Sequence, residues 1–100
     1  MPVIILILLL SACVSPAPRF MGAERRDLVL DGIRFVVFSN PTEAEVIRMG
    51  YLTRKDRDRV PELMVRAAEI ASGCRVIPNS LRSRLPGDTG EARVELDCSG

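Results

Sequence analysis

From Glu91 to Cys98 the chain alternates without a break: Ala92, Val94, Leu96 and Cys98 take one parity, and Glu91, Arg93, Glu95 and Asp97 take the other. Successive side chains of an extended strand point to opposite faces, so this segment reads as a strand with one dry and one wet side. The dry side needs a cover, and an earlier segment supplies one. Val60, Leu63, Met64, Ala67, Ile70, Ala71 and Cys74 recur at helical spacing, while Glu62, Arg66, Glu69 and Ser72 fall on the opposite face. Asp58 offers an N-cap, Pro61 is tolerated in the first turn, and Gly73 ends the helix. Glu62 and Arg66 form an i,i+4 pair in the favourable orientation. A one-sided helix beside a one-sided strand predicts an α+β domain, with the helix laid across one face of a small antiparallel sheet.

Other strands are written nearby. Leu81, Ser83 and Leu85 alternate with Arg82 and Arg84, and Pro86-Gly87-Asp88-Thr89-Gly90 supplies a turn into the last strand. Facing residues share a side, so Leu81 and Leu85 must oppose even-numbered residues of that strand. Upstream, Asp31-Gly32 sits between Leu28-Val29-Leu30 and Ile33-Arg34-Phe35, the pattern of a hairpin with a type I′ turn. The second arm runs on through Val36-Val37-Phe38 to Ser39-Asn40-Pro41 and is apolar on both faces, which predicts a central strand. Two readings compete over Thr42–Leu52. Thr42 and Glu45 have capping-box spacing and Gly50 suits a helix end, whereas Glu45-Val46-Ile47-Arg48-Met49-Gly50-Tyr51 is rich in strand formers. The strand is the preferred reading. The expected order is ββ(β)αββ, with four to five strands.

Charge narrows the function. Fourteen basic and thirteen acidic residues nearly cancel, which argues against a nucleic-acid partner. With no histidine and no tryptophan, the chain lacks the usual general base and the commonest metal ligand. Ser72, Ser80 and Ser83 have nothing to activate them beyond the single Lys55. Glu91 and Glu95 lie on an exposed strand face rather than in a cleft that would raise one pKa. Neither a catalytic residue, a metal ligand nor a cofactor is expected, and a small-molecule ligand is not legible. Arg54-Lys55-Asp56-Arg57-Asp58-Arg59 reads as a solvated approach to the helix. Arg82, Arg84 and Arg93 make the candidate interaction face, tempered by the interleaved Glu91 and Glu95.

The amino terminus carries the most specific motif. Val3–Leu10 is an unbroken apolar run, far short of the roughly 20 residues of a membrane-spanning helix but within the range of a secretory leader. Leu10-Ser11-Ala12-Cys13 follows, an aliphatic residue and two small ones before a cysteine. This resembles the lipobox of bacterial lipoproteins. No Lys or Arg precedes the apolar run, which departs from the usual leader and leaves open a start codon upstream. The resemblance implies cleavage between Ala12 and Cys13, with diacylglycerol on the Cys13 thiol and further acylation of its new amine. Val14 stands where an aspartate would hold such a protein at the inner membrane, so the periplasmic face of the outer membrane is the implied destination. Two or more acyl chains anchor stably, where one does so only marginally. The domain division is then 1–12 leader, 13–26 lipidated cysteine and tether, and 27–100 folded domain. Pro16 and Pro18 mark the tether, whose extended reach would be roughly 40 Å.

Once Cys13 is acylated, Cys74 and Cys98 remain. In an oxidising compartment an even pair in a small domain reads as a disulfide, the alternative being two buried thiols. The bridge would close a loop of about 25 residues, worth about 3.5 kcal/mol in a chain-entropy model. An unbroken hairpin would set Ile77 or Asn79, not Cys74, opposite Cys98, so a bend at Pro78 is expected. Beyond its leader, the chain is similar to uncharacterised small periplasmic lipoproteins. The implied function is a membrane-anchored, non-catalytic interaction or structural module of the cell envelope with an envelope protein partner. The alternative is an inhibitor or immunity-type protein acting on a periplasmic enzyme through a loop such as Pro86–Gly90.

Overall fold

In the computed structural model, residues 20–50, 54–84 and 90–99 are described. The leader, Ala12, Cys13, most of the tether and the 86–89 turn lie outside them. Three strands, β1 (Glu24–Leu30), β2 (Ile33–Ser39) and β3 (Glu43–Met49), precede the helix α1 (Val60–Ser72), and β4 (Arg75–Val76) and β5 (Glu91–Asp97) follow it. They form one antiparallel sheet in the order β1-β2-β3-β5-β4. The α+β class and the expected element order both hold.

Local chemistry explains each turn. Leu30 faces Ile33 across a two-residue loop in which Asp31 and Gly32 take φ of 51° and 79°. Two successive positive φ values define the type I′ turn, and Asp-Gly adopts them at little steric cost. At the next turn, the Asn40 Oδ1 atom accepts from the Thr42 and Glu43 N–H groups, each at 2.9 Å, and from the Thr42 hydroxyl at 3.1 Å. Thr42 is thereby held in the turn instead of capping a helix, and Glu43–Met49 pairs as a strand with β2.

The sheet begins before residue 27. β1 begins at Glu24, so Glu24–Arg26 belong to the sheet, and Phe20 is 1% exposed, packed with Val36 and Phe38. Proline-rich composition marks Pro16–Pro18 but says nothing about one phenylalanine beyond it. Phe20 and Glu24–Arg26, assigned to the tether by composition, thus belong to the described fold.

The main core lies between sheet and helix. Ile33, Phe35 and Val37 of β2, Ala44 and Val46 of β3, and Ala92, Val94 and Leu96 of β5 meet Val60, Leu63, Met64, Ala67, Ala68 and Ala71 of α1. Ile70, expected in this face, is 54% exposed, and Ala68 is buried in its place. At about 100° per residue, Ile70 lies about a quarter turn from the centre of the stripe. A small residue on the Ala68 side lets the helix approach the sheet. The expected Asp58 cap is also replaced. A 3₁₀ helix, Arg54–Arg59, runs directly into α1, so Arg59 holds the N-cap position without a side-chain bond. Gly73 does end the helix, at φ 74°, donating its N–H to Glu69 O at 2.9 Å.

Glu69 does more than face solvent. Its Oε2 accepts the Val76 N–H at 2.9 Å and fixes β4 to the end of α1. Glu69→Ala is expected to cost about 1–2 kcal/mol, against no more than about 0.5 kcal/mol for Arg66→Ala on the exposed face. Urea unfolding of the two variants compares them directly.

The closing hairpin is correct in register and shorter than expected. Arg82 faces Arg93, an odd-sum pairing as anticipated, through N–H···O bonds of 2.8 and 2.7 Å. Among the described residues 81–84 this is an isolated bridge rather than a strand, Leu85 lying outside them, and the regular pairing lies earlier, where Arg75 faces Asp97 and Val76 faces Leu96. Between the two, the chain makes the expected bend at Pro78-Asn79: Asn79 has φ 63° and the Ser80 N–H returns to Ile77 O at 3.2 Å. Ser80 Oγ then accepts the Glu95 N–H at 3.0 Å, filling a ladder position that a backbone carbonyl would otherwise take. The bend leaves Cys74 facing Cys98 in continuation of the β4–β5 register. Their sulfurs are at bonding distance and their Cα atoms 4.6 Å apart, within normal disulfide reach.

Candidate interaction face

The sheet face away from α1 divides into two halves. Over β2 and β3 it carries an apolar patch, with Val36 and Phe38 buried beneath Phe20 and Ala23, Ile47 and Met49 packed around them, while Arg25, Asp27 and Arg34 share the same face at the β1 side. Arg25 closes this half at the edge, its guanidinium 5.9 Å from the Phe38 ring centre. Arg25 also hydrogen-bonds Asp27 at 3.0 and 3.2 Å, and this bond holds the Asp27 carboxyl below its ordinary range. The pair is exposed and adds little stability.

Over β3, β5 and the Arg82 bridge the same face is charged. Glu43 lies opposite Glu95, Glu45 opposite Arg93, and Arg93 opposite Arg82. Like charges directly opposed are unfavourable, but a pair of each sign stands side by side here and the two offset. An open cleft of about 490 Å³ lies among them, lined by Thr42, Glu43, Ser80, Arg82, Arg93 and Glu95. Arg82 is anchored by two bonds from one guanidinium nitrogen, to Asn79 O and Leu81 O, both 2.9 Å. Arg93 lies 3.6 Å from the Glu91 carboxylate, and among the described residues neither Arg93 Nε nor Glu91 Oε2 makes a hydrogen bond.

Of the three arginines expected in this face, Arg82 and Arg93 come together at the cleft. Arg84 stands apart, with an exposed side chain and a backbone N–H 3.4 Å from Glu91 Oε1. The sequence reading missed Glu45, which is 2% exposed. Its parity was the available signal: once β3 is a strand, Glu45 shares a face with Ile47 and Met49 and lies between Phe38 and Arg93.

Arg59 and Ser72, among the other candidates, have structural partners. Arg59 reaches Asp31 and Asp56, each at 3.1 Å, and ties the 3₁₀ helix to the first hairpin. Ser72 Oγ donates to Ala68 O at 2.6 Å and accepts the Cys74 N–H at 3.1 Å. Among the described residues no group of three or more His, Cys, Asp or Glu is placed to hold a metal ion. Cys13 and Ala12 lie outside the described residues, as does nearly all of the Pro86–Gly90 loop. Compared with protein-family models, curated proteins and solved structures, the chain matches none of them.

Proposed function

We propose that the chain is a lipid-anchored, non-catalytic module of the bacterial envelope, attached through Cys13 at the periplasmic face of the outer membrane. Its interaction surface is the sheet face opposite α1. Leu10-Ser11-Ala12-Cys13 at the end of a short apolar run carries the anchoring. The pairing of Arg82 with Arg93 beside the open cleft carries the choice of face. The serine oxygens support a non-catalytic role: Ser80 Oγ and Ser72 Oγ bond the backbone and complete the β5 edge and the helix end. A nucleophile needs a partner that takes its proton, and these hydroxyls are built into the scaffold.

Cys13→Ser tests the anchor. The variant is expected to incorporate no labelled palmitate and to keep its leader uncleaved, while wild type does the reverse. Equal labelling of the two would contradict the proposal.

A further inference from the structure

We infer that the sheet face opposite α1 rests on the bilayer that carries the anchor, with zwitterionic phospholipid headgroups as its ligand. This rests on the reading of Cys13 as the anchor and adds an orientation and a ligand to it. The first observation is where the chain enters the domain. Phe20 is 1% exposed and seated on Val36 and Phe38, on this face. Phe20 lies only seven residues after Cys13, so whatever its conformation the chain between them can span at most about 25 Å. Passing around the sheet and a helix of about 10 Å diameter packed about 10 Å away would consume nearly all of that length. The face bearing Phe20 is thus the one held against the membrane.

What this face offers fits a headgroup layer. Met21, next to the Phe20 seat, is 71% exposed, and Val29, on the same face as Val36, is 59% exposed. Single apolar side chains of this kind suit the boundary between headgroups and acyl chains. Farther across the same face, the cleft over β3 and β5 holds both signs, Arg82 and Arg93 next to Glu43 and Glu95. Guanidinium groups match phosphate oxygens and carboxylates match an ammonium, the two charges of phosphatidylethanolamine. A polybasic surface would instead require anionic lipid, and this face is not polybasic.

The test uses the full acylated protein in vesicles of phosphatidylethanolamine and phosphatidylcholine. Nitroxide labels are placed singly at Met21→Cys, Val29→Cys and Ile70→Cys; Ile70 lies on the flank of α1, on the other side of the sheet, and is 54% exposed. The readout is spin relaxation by a nickel chelate carried on a lipid headgroup. Labels at 21 and 29 are expected to relax several-fold more than the label at 70. Equal relaxation, or a larger effect at 70, would overturn the orientation. The expected order also holds without phosphatidylglycerol; an order seen only after adding that lipid would overturn the headgroup assignment. The anchor is read separately, from the acyl mass on Cys13 before labelling. If that mass is missing, the anchor reading fails and the inference goes with it.

Discussion

Replacing both Cys74 and Cys98 with alanine is expected to destabilise the domain by about 3.5 kcal/mol, and adding reductant to wild type should do the same. The two residues close the ends of α1 and β5, so the bond ties together the layers that enclose the main core. Small domains have totals near the low end of about 5–15 kcal/mol, and a loss of this size should shift the urea midpoint far down. The protein to use is the mature chain with Cys13 replaced by serine, because a truncation after residue 20 would also remove Phe20 from the second cluster. Wild type should show no free thiol before reduction. Thiols that react only after unfolding, with a midpoint indifferent to reductant, would remove the bond from this picture.

Leu63→Ala is expected to cost about 2–5 kcal/mol, the other large effect. Leu63 is 3% exposed, in the cluster that joins α1 to β2, β3 and β5. Ile70→Ala removes as large a side chain from the same helix, yet Ile70 is mostly in solvent, so its effect should stay within about 0.5 kcal/mol. The contrast is informative because hydrophobicity alone ranks the two alike. Comparable losses from both would mean that the buried stripe of α1 is turned towards Ile70.

What could be read in advance was local chemistry and periodicity. Asp31-Gly32 defines its hairpin because a type I′ turn needs two positive φ values, and Gly73 ends α1 for a related reason. The alternation of β5 and the double-sided apolar run of β2 locate the middle of the sheet without tertiary information. The Cys74–Cys98 pairing and the bend at Pro78 were legible together, since the first requires the second.

What could not be read depends on long-range fit. Ala68 displaces Ile70 because the helix must approach a curved sheet closely, and no residue scale holds that information. Phe20 stands alone in a stretch with no period, so only the apolar surface of Val36 and Phe38 shows that it is buried. Ser80 takes a strand's hydrogen bond with its side chain, and over the described residues 81–84 the expected strand is one bridge. At the candidate face, Arg82 and Arg93 were legible from alternation, whereas Glu45 and Glu43 became neighbours of the arginines only through the β3–β5 pairing, between segments far apart in the chain.

The central claim is that this domain is held to a membrane by lipid on Cys13. The intact mass of the protein extracted from the membrane fraction tests it most directly. The expected mass is that of a chain beginning at Cys13 with a diacylglyceryl group and, after further acylation, a third acyl chain. A soluble product of unmodified mass that still begins at Met1 would contradict the claim.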